Sequence, residues 1–225
     1  MAGRAFVWIG GALFVMSLSW CVWLYGVALS RSAPFAGWAS LVVDAGLVAM
    51  FALHHSLFAR EGMKAWMGRV VPPPLMRSTY VWIASLLLTL VCVGWQTIGG
   101  EVYRFTGLLA IALFACQAAG LWLTARGVAR IDPLELAGIH SAANSQGLQV
   151  TGPYRWVRHP LYLGWALMVF SAPHMTGDRL AFAIITTGYL VAAIPWEEQS
   201  LRQSFGDDYD RYANDVRWRM IPFIY

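Results

Sequence analysis

The sequence has 225 residues, of which 58% are hydrophobic and only 12% are charged. A chain of this composition is typical of a membrane protein, which excludes an ordinary soluble domain. The net charge of +4 comes from basic residues scattered singly between apolar runs, so it does not favour a nucleic-acid partner.

Six charge-poor stretches approach or exceed the length of about 20 residues that a helix needs to cross a bilayer. They cover residues 6–29, 35–59, 78–98, 105–125, 161–177 and 180–196. The last two are short and separated by little more than Gly177-Asp178-Arg179, which predicts a tight helical hairpin. We therefore expect an all-α, polytopic membrane bundle of about six helices. It forms a single domain over 1–225, with a four-helix part over 1–125 and a second part over 126–225.

Lysine and arginine residues are distributed unevenly between alternate connecting segments, with 13 in one set and 3 in the other. By the positive-inside rule, the richer set faces the cytoplasm. The pattern predicts that both termini and the connections 60–77 and 126–160 are cytoplasmic.

The second apolar stretch contains polar residues, which are costly inside a membrane and are therefore candidates for function. Asp44 and His55 are eleven residues apart and share one helix face to within about 20°. For Asp44 a packing role is the favoured interpretation, and for His54 a position at the membrane interface. His55 and Ser56 are interpreted as part of a site, because the predicted topology places them on the same side as His159. His54, Ser56 and Arg60 are candidates for contacts with the substrate.

The connection 126–160 is the longest one, and Asp132-Pro133-Leu134-Glu135 in it predicts the start of a short helix. It ends in the run Thr151 to Gly164, where Gly152-Pro153 predicts a turn and Pro160 a helix start. Arginines, a histidine and aromatic rings in this run fit an anionic or aromatic ligand. An ordinary interfacial belt explains the same residues.

Glu197 and Glu198 follow Pro195-Trp196 at the predicted end of the last membrane helix. Adjacent carboxylates at a helix C-terminus are disfavoured by the helix dipole, so a compensating positive group is expected. Arg155, Arg158, Arg202, or a ligand carrying a sulfonium or ammonium group would serve. The tail after Glu197 has apolar residues at helical spacing and predicts an amphipathic helix with a break at Gly206.

The histidines and cysteines do not form the spaced clusters that metal sites require, so no metal is predicted. A haem held between His55 and His159 remains an alternative.

Two sets of motifs resemble a known family. GPYRWVRHPLYLGW at 152–165 and EEQSLRQSFGDDYDRYANDVRWRMIP at 197–222 resemble the C-terminal signature of the isoprenylcysteine carboxyl methyltransferases. HHSLFAR at 54–60, VVPPPLMRSTYVW at 70–82 and IGG at 98–100 are similar to the methanethiol S-methyltransferase branch, which is related to NnrU-type membrane proteins. The resemblance implies a helical membrane enzyme that uses S-adenosylmethionine, bound by the last two helices and the tail.

Carried over residue by residue, the resemblance implies a cofactor site with a defined set of residues. They are Gly152, Pro153, Tyr154, His159, Pro160, Tyr162, Gly164, Glu197, Glu198, Arg202, Tyr209 and Tyr212. The candidate catalytic residues are His55, His159 and Arg158, because a thiol acceptor must lose a proton before it reacts well.

The function that these observations favour is methylation of a small thiol, such as methanethiol to dimethyl sulfide, by a bacterial inner-membrane enzyme whose active site faces the cytoplasm. Its partners are then a small or lipid-soluble acceptor and membrane lipids. An isoprenylcysteine carboxylate and a lipid amine are alternative acceptors. A non-catalytic or haem-linked NnrU-type protein is the alternative of another class. Residues 131–138 depart from the pattern of the thiol branch, which affects the acceptor and not the cofactor motif.

Overall fold

The fold is that of a polytopic helical membrane protein. The computed structural model describes residues 2–58, 61–129, 133–139 and 147–225. In these ranges, five helices are long and apolar enough to cross a membrane, and a sixth apolar helix, Pro160–Phe170, is shorter. The predicted all-α membrane fold is confirmed, while the cytoplasmic orientation of the termini stays a prediction.

The described elements follow one another in a simple order, interrupted by two short strands that pair with each other. They are α1 (Ala2–Trp23) with a π-helical turn (Leu24–Ala28), α2 (Ala39–Phe58), α3 (Glu61–Met67), α4 (Pro73–Gly94), β1 (Glu101–Arg104), α5 (Gly107–Val128), α6 (Pro133–Leu136), a 3-10 turn (Gly152–Arg155), α7 (Pro160–Phe170), β2 (His174–Thr176), α8 (Gly177–Phe205) and α9 (Asp207–Asp215).

The chain divides into two compact units. The first comprises Met1–Glu101, Ile131–Ala143 and Thr176–Asp178, and the second comprises Val102–Arg130, Asn144–Met175 and Arg179–Tyr225. The prediction of one domain over the whole chain stays a prediction.

In the first unit, α1 packs along α4. The rings of Phe6 and Trp82 stack at 5.4 Å, and Trp82 Nε1 donates to the Phe6 carbonyl at 2.9 Å. The indole thereby buries its apolar body and satisfies its single donor. The predicted helix after Asp132 is present as α6, although Asp132 itself lies outside the described residues. Gly138, just after α6, accepts a hydrogen bond from Ser78 of α4 at 2.5 Å.

Asp44 has a packing contact in the first unit. Its side chain is fully buried, and Oδ1 accepts the backbone N–H of Gln96 at 2.8 Å. Asp178 accepts the N–H groups of Ile98 and Gly99, both at 2.9 Å. Two carboxylates therefore hold the connection after α4, where buried N–H groups would otherwise lack partners. Of the two interpretations left open for Asp44, the contacts favour packing.

In the second unit, two sequence predictions about the last helices are wrong. Helix α7 ends at Phe170, and the connection to α8 contains strand β2, so the hairpin does not turn at Gly177-Asp178-Arg179. Helix α8 continues through Pro195 to Phe205 instead of ending near Trp196. The residues after Pro195 are mostly good helix formers, and one missing backbone hydrogen bond does not end the helix. The predicted break at Gly206 is confirmed by its φ of 53°.

Helices α5 and α7 approach closely at two glycines. A Cβ added at Gly164 would lie 2.7 Å from the carbonyl oxygen of Gly120 and 2.6 Å from Oγ1 of Thr124. Small residues allow this approach of two backbones, as is common in membrane helix pairs. Gly164 was predicted to line the cofactor site. Its contacts give it a packing role against α5, and its place in the cofactor site stays a prediction.

The substitution Gly164→Ala is expected to destabilise the protein by about 1–3 kcal/mol, because the added methyl group meets backbone that cannot move freely. Thermal unfolding of the detergent-solubilised protein measures this change. The matched control is Gly188→Ala in α8, where nothing lies within 4 Å of the added Cβ. The control should be unchanged or more stable by up to about 1 kcal/mol. Equal melting temperatures for the two variants would contradict the packing role.

Candidate active site

The run Thr151 to Gly164 begins with a turn and ends in a helix, as predicted. Gly152 has a φ of 65°, a conformation that favours glycine, and it opens the 3-10 turn Gly152–Arg155. His159 is the N-cap of α7 and Pro160 is its first residue, where a missing N–H costs nothing. Pro153 and Pro160 are buried, so the turn is packed rather than solvated.

The segment after α9 pairs with this run through its backbone. The N–H of Arg158 donates to the carbonyl of Trp218 at 2.9 Å, and the N–H of His159 donates to that of Arg219 at 2.7 Å. Tyr212 of α9 donates its hydroxyl to the carbonyl of Tyr154 at 2.8 Å. These bonds fix α9 and the residues after it beside the start of α7.

Arg158 joins three parts of the second unit. Its Nε donates to Oε1 of Glu198 at 2.7 Å, and its Nη1 donates to the carbonyls of Val216 at 2.8 Å and Arg217 at 3.0 Å. Its side chain is only 8% exposed. The guanidinium thus connects α8 to the end of α9, which is a positioning role. A direct catalytic role for Arg158 stays a prediction.

Glu198 is the centre of the charged groups. It is 1% exposed, and Oε2 lies 3.3 Å from Nε of Arg219. Oε1 contacts Arg158 and lies 3.5 Å from Nε2 of His159. A carboxylate this deeply buried would be costly without paired cations, and two guanidinium groups supply them. We name Arg158, His159, Glu197, Glu198 and Arg219 the charged cluster.

The sequence predicted that Glu197 and Glu198 lie at a helix end, and this prediction is wrong. They lie inside α8, which continues to Phe205. The helix dipole does not act on them there, since its effect is confined to the last turn. The expected compensation is nevertheless present, since Arg158 and Arg219 pair with Glu198.

His159 lies between the two glutamates. Its Nδ1 is 3.5 Å from Oε2 of Glu197, and its ring stacks on that of Tyr162 with centroids 5.3 Å apart. Tyr162 donates its hydroxyl to Glu197. Burial lowers the pKa of His159, but the adjacent Glu197 and Glu198 outweigh that effect and raise the pKa above its ordinary value.

Tyr209 of α9 completes the surroundings of the charged cluster. Tyr209 is fully buried, and its hydroxyl has no hydrogen-bond partner among the described residues. Burial raises the pKa of Tyr209 to about 12, with a smaller contribution from Glu198, so the hydroxyl remains protonated at neutral pH. The guanidinium of Arg202 lies 5.5 Å from the centre of the Tyr209 ring and pairs with Asp210 at 3.0 Å.

All of the sequence-predicted cofactor residues lie in the second unit, and apart from Gly164 in α7 they lie on the 3-10 turn, the start of α7, the end of α8, and α9. These are Gly152, Pro153, Tyr154, His159, Pro160, Tyr162, Glu197, Glu198, Arg202, Tyr209 and Tyr212. Arg219 was not among the residues predicted from the sequence. The available signal was the alternating RWR of residues 217–219, which places two arginines beside a tryptophan in the tail.

The substrate-side candidates lie in the first unit. Nδ1 of His55 is 2.5 Å from the hydroxyl of Tyr80, a partner that the sequence did not indicate. His54 is buried, stacks on the Tyr80 ring at 5.3 Å, and leaves its Nε2 without a partner in the described part of the chain. Ser56 follows on α2, and Arg60 lies outside the described residues.

The charged cluster fits a ligand that carries both signs of charge. Glu197 is 43% exposed and offers a reachable carboxylate, while Arg202 and Arg219 are 49% and 36% exposed. Nε2 of His159, Oε2 of Glu198 and the Tyr209 hydroxyl are buried without hydrogen-bond partners among the described residues. Within these residues, the histidine, cysteine and acidic side chains do not group into a metal site.

The fold and this cluster define a polytopic membrane protein with a charged site built from its last helices and tail. Its sequence is 37% identical over 194 residues to the methanethiol S-methyltransferase of Crocosphaera subtropica, covering 82% of this chain and 76% of that protein. It is 35% identical over 186 residues to the enzyme of the same name from Mycobacterium tuberculosis, covering 79% and 76%. The chain belongs to the methanethiol S-methyltransferase family, which confirms the resemblance inferred from its motifs.

A more distant relative is Nurim of Mus musculus, 29% identical over 185 residues, covering 73% of this chain and 69% of that protein. No family model and no solved structure matches the sequence.

Proposed function

We propose that this chain is a membrane methyltransferase that transfers the methyl group of S-adenosylmethionine to methanethiol, which gives dimethyl sulfide. The observation that carries the proposal is the set of relatives named methanethiol S-methyltransferase, which are 32–37% identical over most of the chain. The charged cluster and its neighbours support it, because Glu197, Arg202 and the ring of Tyr154 offer separate groups to the sulfonium, the carboxylate and the adenine of that cofactor.

S-adenosylmethionine supplies an electrophilic methyl group on a positively charged sulfur. Of the two adjacent glutamates, Glu197 is the one that contacts the positive part of the cofactor. It is 43% exposed, whereas Glu198 is 1% exposed and already paired with Arg158 and Arg219. A carboxylate whose charge is already compensated has little attraction left for a further cation.

The other predicted contacts divide by chemistry. Arg202 offers the cation for a carboxylate, and the half-buried Tyr154 offers a ring against which an adenine can pack. Gly152 and Pro153 hold the turn that carries Tyr154, and Tyr212 fixes the Tyr154 carbonyl at 2.8 Å. These residues would hold the methyl donor in a fixed orientation, and alignment of reacting atoms can supply several kcal/mol of the barrier reduction.

His159 accepts the proton of the thiol. Nε2 is buried beside Glu198, whereas Nδ1 lies on the side of the more exposed Glu197, so Nδ1 is the nitrogen that accepts the proton. The thiol S–H bond breaks and its proton passes to Nδ1. The thiol sulfur would keep the electron pair of its S–H bond and attack the methyl carbon. The bond between that carbon and the sulfonium sulfur would break at the same time, with its electron pair left on the donor sulfur. His55, with its partner Tyr80, is the second candidate for the proton.

The site faces the cytoplasm of a bacterial inner membrane. The excess of lysine and arginine in alternate connections supports this orientation, because the connection before α7 and the tail belong to the basic set. S-adenosylmethionine is made in the cytoplasm, so this orientation also gives the enzyme access to its methyl donor.

The proposal is tested with purified protein in detergent and S-adenosylmethionine labelled in its methyl group. Separate vials receive methanethiol, a farnesylated cysteine analogue and a lipid amine, and the headspace of the first is analysed for dimethyl sulfide. We expect labelled dimethyl sulfide in the first vial and background label in the others.

The variant Glu197→Gln should bind the cofactor about tenfold less tightly, since it loses one charge contact of about 1.4 kcal/mol.

Label in the second or third vial alone would move the acceptor to a prenylated or lipid substrate. Failure to bind S-adenosylmethionine would contradict the enzyme assignment as a whole. The variant Arg217→Gln serves as the surface control, because its side chain is exposed and it removes the same number of charges from the protein.

A further inference from the structure

Residues 219–225 form a turn that brings Tyr225 back over Arg219. The N–H groups of Met220 and Ile221 both donate to the carbonyl of Tyr225, at 2.8 and 2.9 Å. Phe223 has a φ of 66°, which is uncommon for a residue with a side chain and indicates a closely constrained turn. Nη1 of Arg219 donates to the Tyr225 hydroxyl at 3.1 Å, and the guanidinium lies 5.3 Å from the centre of the ring.

This turn aims Arg219 at Glu198. Its Nε lies 3.3 Å from Oε2, on the side of the carboxylate opposite to Arg158, which binds Oε1 at 2.7 Å. Burial lowers the pKa of Arg219, but Tyr225 and Glu198 outweigh that effect and raise it. The guanidinium is therefore permanently charged, whatever the state of its neighbours.

Glu198 is also the neighbour of His159. Its Oε1 lies 3.5 Å from Nε2 of the imidazole, so the histidine and the two arginines share one carboxylate. If an arginine were removed, the uncompensated charge of the buried carboxylate would favour a second proton on the imidazole. An imidazole that already carries two protons cannot accept one from a thiol.

We propose that Arg219, held in place by Tyr225, is a positioning residue that shares the charge of Glu198 with Arg158. It thereby limits how strongly Glu198 favours a second proton on His159, which leaves the imidazole better able to accept a proton. The use of that proton acceptor in catalysis rests on the proposed function. The effect of Arg219 on the imidazole does not, and it can be measured without turnover.

The charged and titratable groups that interact with His159 or with its two neighbouring glutamates come from several elements of the second unit. They are Glu197 and Glu198 on α8, Arg158 before α7, Tyr162 on α7, Tyr154 in the 3-10 turn, Tyr209 and Tyr212 on α9, and Arg219 after α9. Among these groups, Arg219 is the one furthest from His159 in sequence. Its replacement leaves the hydrogen bonds of Arg158 to Val216 and Arg217 in place.

The first experiment follows the titration of His159 by NMR in the full-length, detergent-solubilised protein with ¹⁵N-labelled histidine. The chain has five histidines, and His159→Asn identifies the resonance of His159. In Arg219→Gln, we expect its titration midpoint to rise by about half a pH unit or more, because a neighbouring positive charge is lost. In Tyr225→Phe, a smaller rise is expected, since the guanidinium stays charged but loses its hydrogen bond.

The matched control is Arg217→Gln, which removes an exposed arginine two residues earlier and should leave the midpoint unchanged. An unchanged midpoint in Arg219→Gln, or equal shifts in both arginine variants, would overturn the inference. Thermal unfolding of the same samples verifies that the variants are folded.

The second experiment measures the pH dependence of methyl transfer. Below the inflection, Arg219→Gln should turn over about threefold more slowly than the wild type, the factor that corresponds to half a pH unit, and it should recover at higher pH. A loss that is the same at every pH would indicate a merely structural role and contradict the proposal. Absence of methyl transfer to any acceptor in the wild type would contradict the proposed function and leave the NMR result unaffected.

Discussion

Replacement of Glu198 by alanine is expected to lower the free energy of unfolding by about 3–5 kcal/mol, the usual cost of removing one partner from a buried ion pair. The carboxylate is 1% exposed, and the side chain of its partner Arg158 is 8% exposed. The substitution leaves that guanidinium buried without its counter-charge and disconnects α8 from the end of α9. Thermal or denaturant unfolding in detergent measures the change.

An exposed ion pair provides the control for this prediction. Arg202 and Asp210 are 49% and 57% exposed and lie 3.0 Å apart. Because water screens such a pair, Asp210→Ala should cost less than about 1 kcal/mol. Glu198→Gln keeps the shape and one acceptor oxygen, so it should fall between the two. If Glu198→Ala were no less stable than Asp210→Ala, Glu198 would not hold the unit together.

Replacement of His159 by asparagine is expected to lower kcat by about 10²- to 10⁴-fold, the usual contribution of general acid–base catalysis. Asparagine keeps a polar side chain at the N-cap of α7 and cannot accept the proton of a thiol. Binding of S-adenosylmethionine should be much less affected, because Glu197 and Arg202 remain. Single-turnover methyl transfer and equilibrium binding of the cofactor separate the two quantities.

The control for this variant is His174→Asn. His174 lies in β2, where its Nε2 is hydrogen-bonded to Arg104 at 3.1 Å, and it belongs to no part of the proposed site. This variant should retain wild-type turnover. A His159→Asn enzyme with normal kcat would make His55 the remaining candidate for the proton acceptor.

The pH dependence of the wild type follows from the direction of the His159 shift. The folded protein raises the pKa of this imidazole above its ordinary value of 6.5. Activity that needs the neutral imidazole is therefore lost as the pH falls through the raised pKa. The contribution of protonated His159 to stability has the opposite sense. It is fully present below the unfolded pKa and is lost as the pH rises through the folded pKa.

Local signals in the sequence predicted the turn at Gly152-Pro153, the helix start at Pro160 and the break at Gly206. Each of these depends on the backbone of one residue and needs no partner. The end of α7 and the course of α8 were not predictable in this way. An apolar run does not mark where a helix stops, and an isolated proline is compatible with a helix that ends and with one that continues.

The sequence proposed the residues of the candidate site but could not predict their contacts. The sequence predicted that a positive group compensates the charges of Glu197 and Glu198. In the structure Glu198 pairs with Arg158 and also with Arg219, which lies about twenty residues further along the chain. The prediction could not separate the glutamates either, because they are adjacent in sequence. Their difference lies in burial, with Glu197 43% exposed and Glu198 1% exposed.

The sequence by itself determined that this is a polytopic helical membrane protein and which family it belongs to, because both follow from apolar run lengths and from motifs of neighbouring residues. Only the tertiary structure decided which groups share the buried carboxylate, that Gly164 packs against α5, and that Tyr225 holds Arg219. These are contacts between residues far apart in the chain. They depend on how the helices pack and which side chains packing excludes from solvent, and a linear pattern does not contain that information.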